Sequence, residues 1–209
     1  MTPELPALFL SAFVTFFVVI DPPGCAPIFA SLTSGSPTAH RRAMAIRSTG
    51  VAALILFAFA LGGKPFLKAL GVGLPAFRVA GGIMLFLIAL EMVFEKRTER
   101  REERAQDVKA SEHEDISVFP MGIPMIAGPG SIASAMLLTS RAEGWAERGV
   151  VLGALGATLL LTMVSLLAAG QLMKLLGYRV EAMITRVLGV ILAALAAQFV
   201  IDGVRASFS

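Results

Sequence analysis

The sequence predicts an all-α membrane protein with six transmembrane helices arranged as a 3+3 inverted repeat, the first and fourth helices being discontinuous. Three observations predict it. Of the 209 residues, 56% are apolar and 16% charged, with a positive mean hydropathy, a composition that argues against water as the solvent. Residues 116–140 and 149–173 each run 25 positions without a charged side chain, and a bilayer core needs roughly 20 apolar residues per helix. Finally, the chain aligns with itself at a shift of 106 residues, and Pro-Gly clusters interrupt both aligned segments.

The spans are expected at residues 5–33, 43–63, 74–94, 117–140, 149–172 and 184–204. The opening Met1-Thr2-Pro3-Glu4 lacks the basic region and small-residue cleavage pattern of a secretory signal, so the first span is expected to be retained. Six spans divide the connections into two sets. Arg41, Arg42, Arg47, the six bases from Lys96 to Lys109, Lys174, Arg179 and Arg186 make twelve, against six on the other side, from Lys64, Lys68, Arg78, Arg141, Arg148 and Arg205. The positive-inside rule makes the first set cytoplasmic and places both termini outside. Trp145 and Tyr178 fall near span ends, where their rings suit the interface.

A net charge of +3 and a pI near 9.4 do not indicate nucleic acid, because the bases flank apolar spans as topology signals do. Cys25 is the lone cysteine and excludes an internal disulfide. His40 and His113 lie in polar connections, and no metal site is expected from them. Residues 95–115 hold fourteen charged side chains, but pairs such as Glu99 with Glu103 and Arg100 with Arg104 are like-signed, which disfavours a stable helix. A solvated cytoplasmic linker is the expectation. The chain then divides into a first three-span repeat (1–94), a charged linker (95–116) and a second repeat (117–209), forming one membrane domain.

The self-alignment is ordered. At a shift of 106, residues 20–34 meet 126–140 with Ile20, Pro23, Gly24, Leu32, Thr33 and Ser34 identical, and Lys68, Leu70 and Gly71 meet Lys174, Leu176 and Gly177. At a shift of 108, Arg78, Val79, Gly81, Ile83, Leu87 and Ala89 meet Arg186, Val187, Gly189, Ile191, Leu195 and Ala197. Three blocks in one order imply a duplication. Each unit has an odd number of spans, so the second copy enters from the opposite side, as in many secondary transporters.

The first unit breaks at Asp21-Pro22-Pro23-Gly24 and the second at Gly128-Pro129-Gly130. Pro22 and Pro23 have no N–H for the carbonyls of Val18 and Val19, and Pro129 has none for Met125. Unpaired backbone groups at membrane depth cost several kcal/mol unless protein or a wet cavity satisfies them. The half-helix starting at Gly24, Cys25 and Ala26, and the one starting at Gly130 and Ser131, would offer N–H groups and a positive dipole end to a carboxylate. The carbonyls before each break would suit an ammonium or small cation. Kinks within packed spans are the plainer alternative, and the pairing of two breaks favours a site.

Asp21 lies about sixteen residues into the first span, with Ala127 opposite it in the repeat. It reads as a substrate-ammonium contact or proton relay, or as an N-cap for the helix that follows, and these roles can coexist. Glu91 and Asp202 sit near span ends and read as wetted flanks, and Gln198 as an interhelical hydrogen-bond donor. Gly149 and Gly153 form a small-xxx-small pair expected to pack a helix within the protomer or across a homo-oligomer.

Ile20-Asp21-Pro22-Pro23-Gly24, Pro27-Ile28-Phe29, Gly81-Gly82-Ile83, Glu91-Met92, Pro120, Pro124, Ile126-Ala127-Gly128-Pro129-Gly130 and Gln198-Phe199-Val200-Ile201-Asp202-Gly203 give the chain its family likeness. It resembles the MarC family, whose better characterised members are the SnatA-type small neutral amino-acid transporters. The resemblance implies six spans, an inverted repeat, a bacterial or archaeal plasma membrane, and a glycine- or alanine-like substrate held at the broken helices. Cys25 stands where the resemblance leads one to expect Asn.

The expected partners are therefore a small neutral amino acid and membrane lipid, without nucleic acid. The expected activity is secondary transport by alternating access. No phosphate-binding Gly-rich Lys-Ser/Thr motif, His-Glu-x-x-His motif or Ser/His constellation is present, so no cofactor and no catalytic residue are expected. A membrane-embedded ligand sensor or scaffold that binds without transporting is the alternative.

Overall fold

The computed structural model describes residues 5–110, 115–142 and 144–208. The amino-terminal tetrapeptide, His113 and the side chains at 176–179, including Tyr178, lie outside the described residues. The described regular elements are all helical: α1 (Leu5–Ile20), α2 (Pro22–Leu32), α3 (Thr38–Ala69), α4 (Leu74–Val93), α5 (Lys96–Ala110), the irregular Ser117–Ile126 segment, α6 (Pro129–Arg141), α7 (Trp145–Leu167) and α8 (Ala169–Ser207). Five stretches are long and apolar enough to cross a membrane, and Ser117–Ile126 with α6, bent by 55°, makes a sixth.

Large apolar side chains point both ways. Phe16, Phe29, Leu56, Leu85, Leu155 and Leu192 are fully buried, while Leu54, Leu61, Leu160 and Val190 are exposed on the outer faces of apolar helices. Such an outer surface suits lipid and not water. Inside, α1 packs on α7, and α3 packs on Ser117–Ile126 and α6. The most extensive contact joins α4 to α8, and glycines make it possible. A Cβ on Gly82 would lie 2.9 Å from the Ala196 carbonyl oxygen, and one on Gly203 would lie 2.9 Å from the Val79 nitrogen. Small residues let the two backbones approach this closely.

Residues 96–110 are not the structureless linker that their like-charged pairs predict. They form α5, with Thr98, Arg101 and Ala105 buried. The spacing of three and four places these residues on one helical face, and tertiary packing of such a face outweighs weak intrinsic helicity. Glu95 adopts a left-handed φ of 61° between α4 and α5, and its carboxylate pairs with Arg186 at 2.5 Å. At the other end of the connection, Asp115 accepts from the Ser117 backbone N–H at 2.8 Å and hydroxyl at 2.5 Å. These bonds hold its exposed carboxyl below the usual carboxylate range.

Other expectations at the helix flanks also change. Glu91 is paired with Arg100 at 2.7 Å, and Asp202 with Arg141 at 2.6 Å. Gln198 donates to Asp202 four residues on in its own helix, and not across helices. Nothing described lies within 4 Å of a Cβ built on Gly149 or Gly153, so the pair packs no helix closely within the protomer. α8 begins well before residue 184, which brings Glu181 into a packed helix.

Gly82→Val tests the close α4–α8 crossing. Overpacking of this kind costs about 1–3 kcal/mol, so the variant is expected to unfold at a lower temperature than the wild type in detergent, whereas Gly149→Val, on an open face, is expected to match the wild type.

Candidate functional site: a charged cluster at the first helix break

At the first break, Asp21 takes a left-handed conformation (φ 59°, ψ 65°) between α1 and α2. Aspartate tolerates this region better than most residues because its short polar side chain can bond locally. Its Oδ1 accepts from the Gly24 N–H at 3.1 Å and its backbone oxygen from the Cys25 N–H at 3.1 Å. Pro22 and Pro23 occupy the first helical positions, where a missing N–H costs nothing. Asp21 is therefore the N-cap of α2. It also does more than cap, because it is fully buried and forms an ion pair with Arg101 of α5, Nη1 to Oδ2 at 3.0 Å.

Two carbonyls at the end of α1 find cations: that of Val19, whose i+4 residue Pro23 has no N–H, and that of Ile20, whose i+4 donor, the Gly24 N–H, is taken by Asp21. Arg97 Nη2 donates to the Val19 oxygen at 2.7 Å, and Arg101 Nη2 to the Ile20 oxygen at 3.5 Å. Cys25 Sγ also donates to the Ile20 oxygen at 3.6 Å. Hydrogen bonds from charged donors are worth roughly 1.5–3 kcal/mol, against the similar cost of leaving a buried acceptor unmet. Gly24 is required by the same arrangement. A Cβ there would fall 2.2 Å from Asp21 Oδ2 and 2.9 Å from Arg101 Nη1.

The second break is built differently. Pro120 and Pro124 push Phe119 and Ile123 to extended backbone, as proline does to the residue before it. The Met121 and Ala127 N–H groups then reach back five residues, to the oxygens of Ile116 and Gly122. α6 starts at Pro129 with Gly128 as an N-cap that supplies no side-chain bond. Its first intrahelical donor beyond the cap is the Ile132 N–H, bonded to the Gly128 oxygen at 3.0 Å, so the Gly130 and Ser131 N–H groups belong to the first turn, where a helix has no internal acceptors.

A cavity of about 330 Å³ joins the two breaks. Val19 of the first break lines it, as do Met125, Gly128, Pro129, Gly130 and Ser131 of the second, with Met84, Leu87 and Ile88 of α4 and Arg97, Arg100 and Arg101 of α5. Val18, Asp21, Pro22, Pro23, Gly24, Cys25 and Ala26 do not line it. The buried Asp21 carboxylate lies behind the Arg101 guanidinium. One expectation is corrected here. The Gly24 and Cys25 N–H groups are not free for a ligand carboxylate, because Asp21 already occupies both.

Four residues of this cluster are absent from the sequence-derived set: Arg97, Arg101, Thr185 and Glu181. Thr185 Oγ1 lies 3.4 Å from Asp21 Oδ1 and 3.2 Å from Glu181 Oε1. The only signal for the arginines is their i,i+4 spacing beside Thr98 and Ala105 in an otherwise highly charged run.

Fold and cluster together define a polytopic all-helical membrane protein with ionised side chains buried at a broken helix. A family model described as MarC family integral membrane protein matches residues 7–208, and the chain belongs to that family. It is 36% identical to the UPF0056 membrane protein MJ1677 of Methanocaldococcus jannaschii over 94% of this chain and 96% of that one. It is 34% identical to the UPF0056 membrane protein YvbG of Bacillus subtilis, over 94% and 93% of the two chains. To the UPF0056 membrane protein YhcE of Escherichia coli it is 27% identical, over 96% and 94%. The family is thus one of integral multi-pass membrane proteins found in bacteria and archaea. No solved structure gives a significant match.

A thermodynamic cycle tests the ion pair. Arg101→Ala leaves a buried carboxylate without its cation and is expected to cost about 3–5 kcal/mol of stability, while the double variant Asp21→Asn/Arg101→Ala is expected to cost less than the single one. A loss in the double variant equal to the sum of the losses in Arg101→Ala and Asp21→Asn, read from unfolding in micelles, would show that the pair does not form.

Proposed function

We propose that the protein is a secondary transporter of small neutral amino acids, glycine- or alanine-like, working by alternating access between two inverted three-span halves, 1–94 and 117–209. The observation that carries this reading is the cavity lined by Val19 and the α5 arginines on one side and by Gly128, Pro129, Gly130 and Ser131 of the second break on the other. Its volume of about 330 Å³ is at the small end for a small-molecule site.

In this reading the two breaks bind opposite ends of a zwitterion. The Gly130 and Ser131 N–H groups, with the positive end of the α6 dipole, take the carboxylate. The Val19 and Ile20 carbonyls and the Asp21 carboxylate take the ammonium. Met84, Leu87 and Ile88 close in on whatever side chain the substrate carries, which favours one that is short and neutral. Arg97 and Arg101 now rest on the ammonium's acceptors, so they stand in for the substrate's own positive charge. Substrate entry from the α5 side requires the guanidiniums to withdraw. In this reading that side, richer in Lys and Arg, is cytoplasmic and both termini lie outside.

Reciprocal packing supports the two-fold relation between halves. α1 packs on α7 as the Ser117–Ile126 segment packs on α3. α2 packs on α8 as α6 packs on α4, and α4 and α8 pack on each other. Exchanging the halves maps these contacts onto one another, as two copies of one three-span unit would. The start of α2 and the start of α6 then act as the discontinuities of the first and fourth spans.

Purified protein in liposomes is expected to exchange labelled glycine or alanine across the bilayer, with loss of flux in Asp21→Asn and in Gly24→Ala, whose Cβ displaces the carboxylate. Saturable glycine binding without flux in the wild type would favour the ligand-sensing alternative.

A further inference from the structure

Among the described residues, Glu181 is the one buried acid that the proposed substrate contacts do not use. It lies in α8 with 1% of its surface exposed, facing the first break across Thr185. Its Oε2 has no hydrogen-bond partner among the described residues. Its nearest charged and titratable neighbours come from three directions: Asp21 and Cys25 at the break and start of α2, Arg101 and Glu102 on α5, and Thr185 as the polar group on its own helix. Arg101 bonds Asp21 and the Ile20 carbonyl, but makes no ion pair with Glu181.

Two geometric facts bear on its protonation. A buried carboxylate with no cation at bonding distance and one bare oxygen is costly enough that such groups neutralise. The Thr185 hydroxyl also has a single proton and lies within hydrogen-bond range of two carboxyl groups. It can donate to only one. If it donates to Asp21, which Arg101 and the Gly24 N–H already stabilise as a carboxylate, the contact with Glu181 is a hydrogen bond only when Glu181 is the donor. One added proton, on Glu181 Oε1, makes both Thr185 contacts hydrogen bonds and removes the charge from Glu181.

We propose that Glu181 is the proton-carrying residue of this centre and that it exchanges its proton with Asp21 through the Thr185 hydroxyl. Glu181 gives its proton to Thr185 Oγ1 as the hydroxyl gives its own to Asp21 Oδ1. One proton has then moved from Glu181 to Asp21, Glu181 has become the carboxylate, and no electrons are transferred. A neutral Asp21 no longer holds Arg101 by charge, and Arg101 is drawn to the newly charged Glu181. Proton position thereby sets whether the guanidinium blocks the acceptors of the first break. This inference rests on the transport reading for its consequence, but not for the protonation state itself.

The test has two arms. Difference infrared spectra of the reconstituted protein at neutral pH are expected to show a protonated-carboxyl C=O band that disappears in Glu181→Gln and persists in Asp21→Asn. A band unchanged in Glu181→Gln overturns the proposal. In liposomes with an imposed pH gradient, labelled glycine uptake is expected to lose its response to the gradient in Glu181→Gln and in Thr185→Val, and to recover it in part in Glu181→Asp and Thr185→Ser. A wild-type gradient response in Glu181→Gln also overturns the proposal. If the wild type moves no amino acid, the transport reading fails, and the infrared arm alone decides whether Glu181 carries the proton.

Discussion

The structure depends on how the carbonyls of Val19 and Ile20, at the end of the first half-helix, are satisfied. A helix broken inside an apolar bundle must find donors for its last oxygens, and here the donors are two guanidiniums from a helix outside the spans. That choice brings charge into the bundle. Asp21 then answers the charge of Arg101, and Gly24 leaves room for both. Removing any one of these groups leaves another buried and unpaired, so the cluster behaves as a unit.

The two breaks are filled differently. Ala127 aligns with Asp21 at the shift of 106 residues, and no carboxylate folds back over the start of α6. The first break is consequently an acceptor site with its donors consumed, and the second retains donors. This asymmetry suits a ligand with one anionic and one cationic end. α5 lies between the two self-aligned segments of the sequence, and it covers the Asp21 side of the first break. It carries many exposed charges and buries a narrow face, and through that face Arg97 and Arg101 tie it to the first break.

Much of this was legible in the sequence, and the rest failed for physical reasons. Proline and glycine punctuate helices by local sterics, so the positions of both breaks could be read from Pro22-Pro23-Gly24 and Gly128-Pro129-Gly130. Apolar runs located all six spans for the same local reason, and placed the bounds of the first, third and fourth to within a residue. α5 could not be read that way, because like-signed neighbours speak only to an isolated helix, whereas Arg97 and Arg101 are held by partners some eighty positions away. Glu181 was hidden by a boundary. Starting the last span at residue 184 left it in a polar connection, and only the longer α8 places it beside Thr185 and Asp21.

The central claim is that the Asp21 cluster is a substrate site covered by α5, and Cys25 offers a native reporter for it. The thiol is the protein's only one, is fully buried, and donates to the same Ile20 carbonyl that Arg101 covers. The most direct measurement is the rate at which a small thiol reagent modifies Cys25 in liposomes. The account predicts slow modification of the wild type, faster modification of Arg101→Ala, and protection of that variant by saturating glycine or alanine. Modification of Arg101→Ala at the wild-type rate, or a rate indifferent to amino acid, would contradict it.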